Sequence, residues 1–319
     1  MQVFRCDPNA LLACLLIAEK YIRMYGLTKP YLSRKVRLLH HCYTYLRIIN
    51  ETILLSDKVP DQCQELGPIL HGPSPSSRDQ FRITQWSAVP DFELKTLKSI
   101  FEGQNDLHLE IPGRWDFTMY PEIFGIPESF LNLVSHITRL GNERDQLLKR
   151  EDSADDDGTR EDRKPTMRDF LVRAKLLDEH VCRWGPPEGP HHFMFCAMHK
   201  ALVIFFYRRV YDVNVATLQN AVQQVRDLLA QSHARYAEAG QRTIYTMWPA
   251  FIAACEALSP DLQEYFQSWF TQGFEHSGLR SFTLARSIAE TVWASRRDGQ
   301  QTVHWPDIMI SRKVALVCV

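Results

Sequence analysis

The sequence predicts an all-α protein, an array of stacked antiparallel helices. Three observations carry this. Apolar residues recur at i, i+3, i+4 and i+7 spacing through most of the chain. Strict apolar–polar alternation never lasts more than a few residues outside these stretches, so no strand ladder is expected. Helix punctuation such as Ser259-Pro260 and Ser277-Gly278 separates one periodic stretch from the next. No fixed-period self-similarity is present, which argues against a solenoid built on a sequence repeat.

Taken in order, Pro8 to Met24 and Leu32 to Leu55 each carry one amphipathic stripe; in the second it is formed by Leu38, Tyr45, Ile48, Ile49 and Ile53. Lys58 to Pro90 holds Pro60, Pro68, Pro73 and Pro75 and reads as a loop, with a short helix expected at Phe92 to Phe101. Pro127 suits a first helical position, and Glu128 behind it suits the positive end of a helix dipole, so Glu128 to Arg150 is expected to be a long helix. Its core face is Phe130, Leu131, Val134, Ile137 and Leu140. Residues 151–165 carry seven carboxylates, three bases and no large apolar residue; they are expected to form a disordered, mobile acidic insertion. Thr166 and Asp169 form a cap pair opening a helix over Thr166 to Trp184. Five further helices are expected at His191 to Tyr211, Val215 to Ala237, Ile244 to Leu258, Pro260 to Phe274 and Phe282 to Arg297. The chain reads as a single helical domain over 1–319.

Composition narrows the function classes. Lysine and arginine number 37 against 38 acidic residues, a formal net charge of -1, which excludes a polybasic nucleic-acid arm. The longest apolar runs, Ala201 to Phe206 and Ala10 to Ile17, fall short of the ~18 residues a membrane span needs. The start, with Asp7 interrupting it and no small-residue cleavage site after the apolar run, does not read as a signal peptide. Eight cysteines at 6, 14, 42, 63, 182, 196, 255 and 318 show no C-x-x-C pairing and are expected to be reduced core thiols of an intracellular protein.

No catalytic or metal motif survives inspection. His192, Cys196 and His199 lie at i, i+4 and i+7 with Cys182 upstream, a spacing that zinc ligands could use, but Phe193, Met194, Phe195, Met198, Leu202 and Phe205 mark the same helix as core. Adjacent His40 and His41 point to different faces, so one should pack and the other be solvated. Asp155, Asp156 and Asp157 resemble the magnesium-binding aspartates of all-helical prenyl-transforming enzymes, yet nothing around them would order them. His108-Leu109-Glu110 matches half of a zinc deaminase signature and lacks the other half. There is no G-x-S-x-G, phosphate loop, G-x-G-x-x-G or H-E-x-x-H. Arg208 and Arg209, and Arg296 and Arg297, form small clusters suited to helix ends or carboxylate partners. Trp248, Phe251, Phe266, Trp269, Phe270, Phe274, Trp293 and Trp305 fall on the inner faces of successive helices.

The segment Tyr245 to Ala257, with Trp248-Pro249, Phe251 and Cys255-Glu256-Ala257, followed by Gly278, Trp293 and Trp305, resembles the signature of a fungal-specific transcription factor regulatory domain. That domain accompanies zinc binuclear-cluster (Zn2Cys6) DNA-binding proteins. Residues Tyr120 to Arg139 and Leu38 to Thr52 resemble more narrowly the arginine metabolism regulation protein II type. The resemblance runs from about residue 10 to about 309. It implies a nuclear, all-helical regulatory domain that relays metabolic state, contacts co-regulators or other transcription regulators, and can form a homodimer. It implies no catalytic residue, no cofactor and no metal in this chain, since zinc belongs to the family's DNA-binding module with its C-x2-C-x6-C pattern, which is not found among these residues. DNA would be reached only through a partner or an N-terminal domain of a longer protein. The motif residues Trp248, Pro249, Phe251, Cys255, Glu256, Gly278, Trp293 and Trp305 are expected to hold the fold, and Glu256, if buried, needs a partner such as an arginine. Two other classes remain as alternatives: a helical interaction scaffold without a role in transcription, and an all-α lyase or hydrolase.

Overall fold

Among the described residues every regular element is a helix. The computed structural model describes residues 33–52, 119–152, 166–300 and 303–312, with isolated positions between 14 and 25 and at 314 and 316. Most of the expected helix at Pro8 to Met24, the whole of that at Phe92 to Phe101, the Lys58 to Pro90 loop and nearly all of the 151–165 insertion lie outside the described residues. Chain contacts divide the protein into two units, residues 12–52 with 56–180, and residues 1–11 and 53–55 with 181–319.

In the first of these units, α1 (Arg34–Glu51), α2 (Tyr120–Phe124) and α3 (Glu128–Asp152) are joined by α4 (Met167–Arg183), whose final turn belongs to the other unit. The core face predicted for α3 is realised, with Phe130, Leu131, Val134, Ile137 and Leu140 all buried against α1 and its neighbours. The α2 turn is one that sequence reading missed; Pro121 opens it and Gly125 closes it at φ 65°, the left-handed region that glycine occupies at little cost. Thr166 and Asp169 form the expected reciprocal cap at the start of α4: Asp169 N donates to Thr166 Oγ1 at 3.2 Å and Thr166 N donates to Asp169 Oδ2 at 3.0 Å.

Both His40 and His41 are buried, which corrects the expectation that one would face water. The reason is hydrogen bonding: His41 Nδ1 meets Arg37 O at 2.8 Å and its Nε2 accepts from Met119 N at 3.1 Å. The ring also packs on Tyr120, while Tyr45 stacks on Phe124 with centroids 4.0 Å apart. The two sequence segments carrying the narrower resemblance therefore touch each other.

The second unit is built around α5 (His192–Phe206), α6 (Gln219–Glu238), α7 (Met247–Cys255), α8 (Pro260–Ser277), α9 (Arg280–Arg297) and α10 (Trp305–Arg312). The short α7 is apolar all round and every one of its residues is buried, so it lies at the centre, packed by α5, α6, α8 and α9. Burying a side chain such as Phe251 or Ile252 there contributes roughly 1.5–3 kcal/mol each. Helix α8 starts where sequence places it, with Ser259 Oγ accepting from Leu262 N at 3.3 Å and Pro260 following. It ends at Gly278, φ 70°, whose N–H donates to Phe274 O at 2.7 Å. Phe274 itself, expected inside, is 37% exposed because it occupies this outer last turn.

Three boundaries differ from sequence expectation. Helix α5 gives way at Tyr207–Tyr211 to a π-helical turn closed by Asp212, at φ 52°. A 3₁₀ turn, Val215–Leu218, precedes α6, with Asn214 Oδ1 accepting from Ala216 N. Helix α7 begins only at Met247, because Tyr245 and Thr246 run extended to meet α8, where Trp269 Nε1 donates to Thr246 O at 3.4 Å.

Candidate functional site

Of the motif residues, Cys255, Glu256 and Trp293 meet at the C-terminal end of α7. The last carbonyls of a helix have no intrahelical donor, and here side chains from two other helices supply them. Trp293 Nε1, from α9, donates to Ala254 O at 2.8 Å. Arg296 Nη1, one turn further on, donates to Cys255 O at 2.6 Å. Gln219, the first residue of α6, donates through Nε2 to Glu256 O at 2.8 Å and accepts through Oε1 from Leu258 N at 3.1 Å. A cation placed at this negative end of the helix dipole is favourable as well.

Glu256, only 2% exposed, stands at the centre of a charged cluster. Arg296 Nη2 donates to Glu256 Oε2 at 2.9 Å, and Arg208 Nε lies 3.2 Å from the same oxygen, an ion pair without hydrogen-bond alignment. The guanidinium side chains are 7% and 10% exposed respectively. Arg208 comes from the π-helical turn after α5, and that widened turn sets its direction. Arg208 Nη1 donates to Val213 O at 2.6 Å and lies 3.5 Å from Asp212 Oδ1; its Nη2 lies 2.7 Å from His304 Nδ1 and 3.2 Å from His304 Nε2. Arg296 Nη2 also reaches Val303 O at 3.2 Å. His304 Nε2 faces Asp212 Oδ1 at 3.3 Å, and burial, reinforced by the neighbouring Arg208 guanidinium, lowers the ring's pKa below the ordinary histidine value.

Around this cluster the remaining motif residues are packing groups. Trp248 meets Phe205 edge-on at 6.0 Å, Phe251 meets Trp305 at 5.4 Å, and Pro249 and Cys255 are buried within α7. Gly278 stands apart as the cap of α8.

Sequence reasoning asked for an arginine beside Glu256 and did not say which; Gln219, Asp212 and His304 it missed. A signal for the last was present: His304 N donates to Asp307 Oδ2 at 3.0 Å, a cap pair three residues apart with Pro306 between them. It would have announced α10.

The other constellations come apart. His192 Nε2 lies 3.4 Å from Cys196 Sγ, but His199 Nε2 is engaged with Val181 O at 2.8 Å and Cys182 is exposed. Burial raises the Cys196 thiol pKa and lowers that of His199, so neither is activated as a charged group. Among the described residues no three of His, Cys, Asp or Glu come together as a metal site. Of the described cysteines only Cys255 is buried; Cys14 and Cys182 are exposed, contrary to the expectation of core thiols. No described helix is long and apolar enough to cross a membrane.

Comparison with known proteins completes the picture. A family model described as "Fungal specific transcription factor domain" matches residues 2–318. Arginine metabolism regulation protein II of Saccharomyces cerevisiae (strain ATCC 204508 / S288c) is 26% identical over 115 residues, which is 36% of this chain and 13% of that protein. No solved structure matches the chain.

Proposed function

The chain belongs to the fungal specific transcription factor domain family, and on that premise we propose that it is the regulatory domain of a nuclear regulator of the zinc binuclear-cluster type, governing genes of arginine or other amino-acid metabolism. The extent of the family match, residues 2–318, is the observation that carries this reading. The arginine assignment is supported by the 115-residue similarity to arginine metabolism regulation protein II. The mechanism is binding, without bond-making: an effector, a co-regulator, another transcription regulator or a second copy of the chain favours one helix packing over another and so shifts a pre-existing equilibrium. Zinc has its place in the DNA-binding module of such regulators, and DNA is reached through that module or through a partner.

The test is to fuse residues 1–319 to an unrelated DNA-binding module in fungal cells carrying a matching reporter. The expected result is a change in reporter expression that depends on arginine supply. Expression that responds to a different amino acid would move the assignment to another gene class. Expression equal to that of the DNA-binding module alone, whatever the medium, would favour the non-transcriptional scaffold.

A further inference from the structure

Residues 303–304 lead into α10 and are fastened by contacts from three directions. Arg296 of α9 donates to Val303 O, Arg208 of the π-helical turn donates to His304 Nδ1, and His304 Nε2 faces Asp212 beyond that turn. Immediately afterwards Trp305 seats against Phe251 of α7. Two of these fastenings run through one imidazole ring. At their other end stands Asp212, held at φ 52° by donating its backbone N–H to Tyr207 O. A non-glycine residue in that conformation is a place where a fold stores strain, and π-helical turns recur at functional sites.

We propose that His304 is a proton-operated latch: the neutral ring ties the segment entering α10 to the π-helical end of α5, and a proton on the ring unties it. The neutral ring offers one acceptor and one donor; with its hydrogen on Nε2 it accepts from Arg208 Nη2 at Nδ1, the nearer of the two ring nitrogens at 2.7 against 3.2 Å, and donates to Asp212. Imidazolium has two donors and no acceptor, and a guanidinium has only donors. Protonation therefore replaces a 2.7 Å hydrogen bond from Arg208 with two cations at the same separation.

The groups facing the ring decide whether that repulsion prevails. Arg208 opposes the proton, and its side chain is only 10% exposed, so solvent screens it little. Glu256 at the end of α7, Asp212 after the π-helical turn and Asp307 on α10 favour the proton. Glu256 already has Arg208 and Arg296 for company, Asp212 is 43% exposed, and Asp307 is exposed, so their pull is divided or screened. Burial acts in the same direction as Arg208, and the two together win. The latched ring thus has a pKa below the ordinary value of about 6.5, while a released ring, surrounded by water, returns towards it. The open form binds the proton better, so acidification below about 6.5 favours opening and a return to higher pH restores the latch.

Hydrogen exchange on the full chain tests this, with rates corrected for the intrinsic pH dependence of amide exchange. Protection of the hydrogen-bonded amides at 308–312 should fall as pH drops from 6.5 to 5.5, by up to about tenfold, the ceiling for linkage to one proton. The amides of α8, far along the chain from the latch, serve as the unchanged reference. His304→Gln keeps an acceptor for Arg208 and a donor for Asp212 without a titrating group, and should hold the protected level at both pH values. His304→Lys, a permanent cation, should show the lowered protection at both. A His304→Gln variant that loses protection with acid as the wild type does would overturn the proposal, and so would a wild-type profile that stays flat from pH 7.5 to 5.5.

Discussion

Replacing Glu256 by glutamine would test the charged cluster most directly. The exchange preserves shape, and the new side-chain amide could still accept a hydrogen bond from Arg296, but it removes the negative charge that two nearly buried guanidinium groups share. Leaving buried charges without their counter-charge costs roughly 3–5 kcal/mol. Asp212, at 3.5 Å from Arg208, offsets only part of this, being 43% exposed. For a folding unit of this size each kcal/mol shifts Tm by about 2–4 °C, so the expected loss is about 6–20 °C. Five of the seven tryptophans (Trp184, Trp248, Trp269, Trp293 and Trp305) lie in the unit that contains the cluster, so urea unfolding followed by fluorescence reports on it. A Glu256→Gln protein within about 1 kcal/mol of wild type would refute the account, because it would mean that the guanidinium groups find water or another partner at no cost.

Three further outcomes are expected. A Cβ added at Gly273 would lie 2.5 Å from Phe282 Cε1, where α8 crosses α9, so Gly273→Ala should destabilise by about 1–3 kcal/mol despite alanine's better helix propensity, with partial rescue by Phe282→Leu in the same urea assay. Trp293→Phe removes one of the two donors to Ala254 O, which keeps the Ala257 N–H at 3.0 Å; the urea midpoint should fall by an amount equivalent to about 0.5–1.5 kcal/mol at unchanged slope. In the other unit, Glu143 receives both Nη atoms of Arg173, with the side chains 2% and 5% exposed. Glu143→Gln should lower the protection of α3 amides against hydrogen exchange by an amount equivalent to roughly 3–5 kcal/mol of local stability.

Legibility in the sequence follows the range over which each signal acts. The start of α8 could be read because Ser259-Pro260 is a local capping device, and the Thr166–Asp169 pair of α4 for the same reason. The π-helical turn could not: an apolar stripe continues through Phe205, Phe206 and Val210, and no residue announces that the hydrogen-bond register widens. Nor could the late start of α7, since Tyr245 and Thr246 are drawn into extended geometry by Trp269, which lies in the next helix. At the candidate site, the need for a cation beside Glu256 follows from the cost of burying a lone carboxylate. Which cations answer it is decided by how α5 and α9 pack, and the two arginines stand on opposite sides of Glu256 in the chain. His40 shows the limit from the other direction: two adjacent helical residues point apart, yet both are buried, which periodicity along α1 alone does not reveal.

The end of α7 explains how a buried helix can carry a regulatory equilibrium of the kind proposed. Its final carbonyls at 254, 255 and 256 are each held by a side chain from another helix, and the Glu256 carboxylate is shared between the end of α5 and the end of α9. A charged cluster of this sort adds little net stability, because the cost of desolvation cancels much of the attraction. It is nevertheless intolerant of partial displacement. Moving α9 by a few ångströms would leave Glu256 with one arginine and Arg296 with none of its three acceptors, a state higher by roughly 3–5 kcal/mol than one in which the contacts are made. Partly displaced packings are thereby disfavoured relative to one in which the contacts are made. Packed apolar side chains alone, whose contacts weaken gradually with distance, would not separate the arrangements so sharply. In the proposed mechanism, an effector or partner with a modest preference for one arrangement would then act on discrete states instead of on a continuum.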